Sequence, residues 1–493
     1  MPKRRLVLRG DVPAPLEAGL ARLADRLDLP DEFPPGAQAE ARGAVQAGPA
    51  ARADRQDLTE VPFVTIDPPG SMDLDQALFL ETMDDGYRVW YAIADVAAWV
   101  RPGGALDAEA ARRGQTYYAP TVRLPLYPGA LGEGAASLLA DGVARPANVW
   151  RIDLDGQGAV TAATVVRALV RNAARLDYPG VQADLDGGRA DPVLGLLKTV
   201  GELRQAQERA RGGVSLNLPE QEIVAEGSRW HLEFRTLAPV ENWNAQISLL
   251  TGFCAAHLMR AHGIGVLRTL PPARQRDLDL LRHIAKTLAL PWPSTMGYPD
   301  FVRTLDPGTP ACEAMMNACT LLFRGAGYTV IGSERDTGDM PHGALASEYA
   351  HVTAPLRRLV DRYTGEICAC LANGEPVPAW VEDALGGLPA TMDASDGRAK
   401  AFERGVVSLV EALTLSGREG QSFRGVVVEV DSRDPRRGVV SVPQVAVEAP
   451  VRGSAPLALG VEIDVRLAHV DLDQGEVAFD IAGDQPPAAT PRR

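Results

Sequence analysis

Lysine is nearly missing from this 493-residue chain: Lys3, Lys198, Lys286 and Lys400 are the only ones, so arginine carries almost all of the 50 basic positions. Against 64 acidic residues the formal charge is −14, which excludes a protein that coats nucleic acid by bulk electrostatics and leaves room only for a local basic channel. Cysteine is scarce as well. The five cysteines, with Cys368 and Cys370 flanking one alanine, have neither the number nor the spacing of a disulfide framework or a zinc site, and point to a reducing cytoplasm. No apolar run reaches the roughly 18 residues of a membrane span, and Leu6-Val7-Leu8 is too short for a signal peptide's apolar core. There is no Gly-rich phosphate cradle, which argues against an ATP-driven enzyme. The hydrophobic content of 46% is ample for the two or three domains that this length implies.

What is present is acidic and local. Val61 to Ile66 is apolar and β-rich, and Pro68-Pro69-Gly70 then turns the chain, leaving Asp67 at a strand end. Asp73 and Asp75 follow two apart, a spacing that puts both on one face of an extended segment, and the turn can bring Asp67 back towards them. Two such charges about 4 Å apart repel by roughly 4 kcal/mol at an effective dielectric near 20. Either a carboxylate stays protonated or a dication neutralises the group, and oxygen ligands without nearby Cys or His favour Mg²⁺ or Mn²⁺.

Along the chain, residues 13 to 48 read as two short helices broken at Phe33-Pro34-Pro35-Gly36. After the aspartates, Leu78-Phe79-Leu80, Asp84-Asp85-Gly86 and Tyr87 to Ala94 form a hairpin signal. Helical periodicity follows in 194–211, 242–262, 277–290 and 312–324, so 56–416 mixes sheet with many helices. From 417 to 482 the pattern changes to five short strands with glycines between, as an OB-type barrel needs. The fold class is therefore α+β. The tail, 483–493, is rich in proline and alanine and is expected to be disordered. Pro355 reads as the first residue of a helix carrying Leu356, Leu359, Val360 and Tyr363, which would place free N–H groups beside Arg357 and Arg358, a phosphate site. The bland counterpart is a surface pair between Arg357 and Asp361 at i,i+4.

Four stretches in order resemble the ribonuclease II (RNB) exoribonuclease family. They are the aspartate loop; Ala92 to Val96 with Thr116-Tyr117-Tyr118-Ala119-Pro120 and Leu124 to Pro128; Arg211 to Glu220; and Tyr349 to Asp361. With the terminal strands resembling an S1 domain, the likeness covers about 55 to 482. It implies an RNB catalytic domain, a mixed sheet surrounded by helices, between a helical N-terminal module (1–55) and the S1 barrel. Matched position by position, Asp67, Asp73 and Asp75 correspond to the family's catalytic, metal-binding aspartates, while Gln76 stands where a fourth acidic residue is usual. Tyr118 corresponds to the tyrosine that stacks on the terminal base, chosen over Tyr117 by the downstream Pro120. Arg357, with Arg358 beside it, corresponds to the arginine that stabilises the scissile phosphate, and Glu403 to a glutamate near the cleavage site.

The function so implied is Mg²⁺-assisted hydrolysis of RNA from the 3′ end to nucleoside 5′-monophosphates, by a cytoplasmic monomer acting on single-stranded 3′ ends. The family's usual cold-shock barrels have no counterpart in the first 55 residues, which suggests a helical, winged-helix-like guard and access to structured RNA. The contrasting reading, motivated by Gln76 and Ala354, is an RNA-binding or regulatory protein on a weakened RNB scaffold.

Overall fold

The computed structural model describes residues 7–9, 14–119, 123–216, 220–226, 229–235, 237–306 and 309–482. The tail from 483, Pro120 and the Asn217-Leu218-Pro219 portion of the third motif lie outside the described residues. The mixed sheet closes on itself. Strands Gln56–Asp67, Gln76–Met83, Gly86–Ala94, Arg145–Asp155 and Val160–Asp177 form a five-stranded barrel in that order. Closure comes from parallel pairing of the first strand with the last, with Thr65 opposite Arg175 and Asp67 opposite Asp177. The hairpin expected at Asp84-Asp85 is present, with Met83 opposite Gly86. Gly86 is obligatory there: its φ is +157° and a Cβ would lie 2.0 Å from the Leu154 carbonyl oxygen.

Val89, Tyr91, Val149, Ile152 and Val165 fill the barrel's core, which continues into the helices Pro192–Arg211, Pro239–His262 and Leu359–Ala372. The last of these is buried from Leu359 to Cys370, so it behaves as a core element with little amphipathic character. All five cysteines are buried free thiols.

The long helix Leu388–Leu415 leads from this body into a second closed barrel, made of Ser422–Val430, Arg437–Val442, Val447–Arg452, Glu476–Ile481 and Glu462–Asp471 in spatial order. Phe423 and Phe479 meet edge to face inside it, 6.0 Å apart, and so contribute to packing and leave no stacking platform for bases. Among the described residues no helix is long and apolar enough to cross a membrane.

The N-terminal helices are Ala14–Arg26 and Pro35–Ala47. The first shares a core with the long helix: Leu16, Leu20 and Leu23 are buried with Phe402, Val406 and Leu409. Contact is close because glycines face leucines in both directions. A Cβ on Gly19 would sit 2.5 Å from Leu409, and one on Gly405 2.7 Å from Leu23. The second helix buries Ala37 and Ala41, and its Glu40 accepts the Leu106 N–H at 3.2 Å, at the start of helix Ala105–Arg113.

Candidate active site

The aspartate loop runs from Pro68 to Asp75 between two barrel strands, without regular structure of its own from Ser71 onward. Its conformation is imposed from elsewhere. Leu74 is fully buried as an apolar anchor. The equally buried Ser137 accepts the Leu74 N–H at 2.9 Å and donates to the Met72 carbonyl at 2.7 Å, while Leu138 donates its N–H to the Leu74 carbonyl at 3.0 Å. With Leu74 turned into the core, Asp73 and Asp75 are displayed on the other side, as their spacing of two predicts.

Asp75 is 3% exposed. One carboxylate oxygen accepts the Leu356 N–H at 2.7 Å and the other accepts Arg357 Nε at 3.1 Å. Burial pushes its pKa up to about 8; Arg357 works against this and the charge of Asp73 adds to it. The pair with Arg357 uses Nε alone. The arginine side chain remains 43% exposed, and among the described residues its two terminal nitrogens have no hydrogen-bond partner.

The expected helix start at Pro355 is corrected by the structure: the helix begins at Leu359, and 354–358 is a turn. Two carboxylates hold it. Asp361 accepts the Ala354 N–H at 2.7 Å while Asp75 takes that of Leu356, so these donors serve the protein itself. Arg358, not Arg357, pairs with Asp361, through Nε at 2.9 Å and Nη2 at 2.8 Å. Arg358 is thereby a structural clamp, and Arg357 alone is presented outward. The turn is tied to the neighbouring segment, with Thr116 donating its N–H to the Arg357 carbonyl at 3.0 Å and Leu359 donating to Gly114 at 2.9 Å.

That tie carries Tyr118 to the site. Its hydroxyl donates to Asp73 at 3.0 Å while the side chain stays 38% exposed. Enclosure of the hydroxyl, and then the charge of Asp73, push its pKa upward, so it remains a donor. Tyr117, the competing choice, is buried, donates to the Arg113 carbonyl and accepts from Arg398 Nε. Asp73 is also bound by Arg123, which reaches Glu133 with its other terminal nitrogen. Arg123, Ser137 and Asp361 are thus site residues that sequence reasoning did not assign. No local signal marks Arg123 or Ser137, which stand 50 and 65 or so positions from the residues they hold.

Asp67 ends its strand in a half-buried position, and its charge is felt at Tyr91 and Tyr178, as is that of Arg357. Gln76 points its carbonyl oxygen at the Tyr91 hydroxyl, 2.6 Å away, with Ser248 at 3.4 Å. Glu403 lies half-buried on helix Leu388–Leu415, five residues beyond the Arg398 that meets Tyr117. The structure therefore brings Asp73, Asp75, Tyr118 and Arg357 into one linked group, with Asp67 and Gln76 on its Tyr91 side.

The donor set is all oxygen and suits a hard divalent cation. Among the described residues, however, no three carboxylates or other ligand side chains are gathered around a common point. Asp73 and Asp75 are instead engaged by Arg123 and Arg357, an answer to the repulsion that spacing alone did not suggest.

An acidic loop at a barrel mouth, faced by an outward arginine and accompanied by an OB-type barrel, is the layout of a nucleic-acid-processing protein. Residues 55–370 match the model of the RNB domain, and residues 421–482 match that of the RNase II-type exonuclease C-terminal S1 domain. The chain belongs to the RNB family. An uncharacterized ribonuclease of Synechocystis is 26% identical over 430 residues, which cover 86% of this chain and 60% of that protein. Among solved structures, RNase R of Mycoplasma genitalium in complex with ribose-methylated single-stranded RNA superposes with a TM-score of 0.85 at 18% identity, covering 95% of this chain and 78% of that one. The same protein in complex with double-stranded RNA gives 0.81 at 20% identity, over 95% and 83%. The chain spans about half the length of the curated relatives it matches.

Proposed function

We propose that this protein is a hydrolytic exoribonuclease that removes nucleotides from the 3′ end of RNA and releases nucleoside 5′-monophosphates. The observation that carries the reading is Arg357: a guanidinium fixed by Nε to the buried Asp75, with both terminal nitrogens without a hydrogen-bond partner among the described residues. Such a fork is preorganised for two non-bridging oxygens of a phosphodiester and for the charge that grows on them as water adds to phosphorus. Tyr118 supplies an exposed ring beside Asp73, suited to the terminal base, and its hydroxyl orients that carboxylate. Glu403, on helix Leu388–Leu415, is assigned to the surroundings of the cleavage site, as the family resemblance implies.

Mg²⁺, replaceable by Mn²⁺, when held by Asp67, Asp73, Asp75 and the Gln76 carbonyl oxygen, would supply an activated water and shield the phosphate charge. The protein's own part is positional. Ser137 keeps the loop carboxylates in place, Arg358 with Asp361 keeps the turn in place, and Arg357 meets the substrate. The neighbouring Mycoplasma structure with double-stranded RNA supports structured RNA as a second substrate besides free 3′ ends.

A specific observation favours a second reading, an RNA-binding protein on a weakened scaffold: Gln76 replaces an expected carboxylate and is engaged by Tyr91. Asp75→Asn separates them. The nuclease reading expects RNA binding to survive while turnover falls by about two to three orders of magnitude; an equal, negligible turnover in wild type and variant, with a stable RNA complex, supports the binder.

A further inference from the structure

The arginines around the site are mostly spoken for. Arg358 is paired with Asp361, Arg123 with Asp73 and Glu133, Arg362 with Asp107, and Arg357 is tethered through one nitrogen. Arg175 is different. It lies exposed on the closing strand Val160–Asp177, opposite Thr65 and two residues from the barrel mouth at Asp177. Among the described residues it forms no ion pair; its one hydrogen-bond-range contact is to the sulfur of Met72, 3.5 Å from Nη1.

Met72 is itself unusual. It is 36% exposed although large and apolar, and it is kept at the surface because Ser137 pins its carbonyl and Leu74 takes the place in the core. Met72 directly precedes Asp73, whose carboxylate holds another exposed large side chain, Tyr118. A thioether within the aspartate loop and a phenol ring bound to its Asp73 therefore lie on either side of that carboxylate's bonds, and a guanidinium with no ion pair among the described residues rests against the thioether.

We propose that Arg175, supported by Met72, is a second phosphodiester-binding residue at the rim of the site, serving substrate binding rather than the bond-breaking step. This inference rests on the nuclease reading for its ligand, RNA. The chemistry that recognises the ligand is plain: a guanidinium with no carboxylate partner among the described residues, in a chain of net charge −14, is a local attraction for a backbone phosphate. Its neighbour on the same strand provides a contrast. Arg171 is also exposed but is paired with Glu60 at 3.6 Å.

The test is the salt dependence of binding of a short fluorescent oligouridylate, read by anisotropy with divalent metal chelated, for wild type, Arg175→Gln, Arg175→Lys and Arg171→Gln. Arg175→Gln is expected to weaken binding by about three- to tenfold and to flatten the slope of log K against log salt by about 0.7, the share of one phosphate contact on a single strand. Arg175→Lys should restore the slope, and Arg171→Gln should match wild type. Equal slopes for Arg175→Gln and wild type, equal losses for Arg175→Gln and Arg171→Gln, or no binding by any of the proteins would each overturn the assignment. Because metal is chelated, the slopes do not depend on cleavage. A wild type that binds but never shortens the RNA in Mg²⁺ refutes the nuclease reading while the slopes still decide Arg175.

Discussion

Asp75 holds Arg357 by a single nitrogen, Nε at 3.1 Å, and so turns a buried carboxylate into the mount for an outward-facing guanidinium. The arrangement distinguishes charge from geometry. Arg357→Ala should lower kcat by about 10²- to 10³-fold with a small change in KM, the cost of losing one preorganised donor to a developing charge. Arg357→Lys keeps the charge but has neither the Nε tether nor the fork, and should recover less than about a tenth of wild-type kcat. Steady-state kinetics on oligouridylate decide this. Near-complete recovery by lysine would mean that bulk charge suffices.

Ser137 touches no substrate in this account, yet it determines where Asp73 and Asp75 stand. Removing its hydroxyl in Ser137→Ala leaves the buried Leu74 N–H and the part-buried Met72 carbonyl without this partner, at about 1–3 kcal/mol of stability. Displacement of the loop should cut kcat by about 10²-fold while KM changes little. Ser395→Ala serves as the control, since Ser395 is equally buried and donates to the Met392 carbonyl away from the loop. Reduced kcat and lowered thermal stability in Ser137→Ala, with kcat unchanged in Ser395→Ala, is the expected outcome.

Gln76→Asp restores the fourth carboxylate that the family resemblance implies. Oxygen ligands with a full charge bind a hard cation more strongly, so half-saturation of activity by Mg²⁺ should move to concentrations lower by about tenfold. The shorter side chain also releases the Tyr91 hydroxyl, now 2.6 Å from the amide oxygen. A metal titration of initial rates reads the difference, and an unchanged midpoint would remove Gln76 from the metal-binding set.

The contribution of two half-buried histidines to stability should fall on mild acidification. Burial, and then the nearby Arg268, lower the pKa of His342 to about 4, and burial with Arg358 and Arg268 hold that of His351 well below the usual 6.5. The unfolded chain takes up these protons near pH 6.5 and the folded protein does not. Their contribution is therefore complete above pH 6.5 and declines as the pH drops towards 4, by up to about 1.4 kcal/mol per pH unit for each histidine, while the raised pKa of Asp75 works in the opposite sense in wild type and variant alike. Urea denaturation of wild type and His342→Gln between pH 5 and pH 7 (about two units on that scale) should show a shallower slope for the variant.

Much of the site was legible because its signals are local. The aspartate spacing and the candidates Tyr118 and Arg357 come from short motifs; the structure places Tyr118 on Asp73, buries Tyr117 and leaves Arg357 partly exposed. The strand pattern after 417 likewise announces a small barrel, because alternation and glycine turns are short-range. The rest depends on partners distant in the chain. Pro355 looks like a helix start until Asp75, some 280 residues away, takes the Leu356 N–H and holds a turn. Closure of the first barrel rests on parallel pairing of Gln56–Asp67 with Val160–Asp177, which no hairpin signal reveals. Arg123 and Ser137 are ordinary residues in sequence, made important only by what the fold sets beside them.

The central claim is tested most directly by the fate of labels at the two ends of one single-stranded RNA incubated with wild-type protein and Mg²⁺. The account predicts that a 3′-terminal label is released at once as nucleoside 5′-monophosphate, while a 5′ label remains on a ladder that shortens to a small end product. Release of the 5′ label first, internal fragments, or intact RNA held in a stable complex would contradict it.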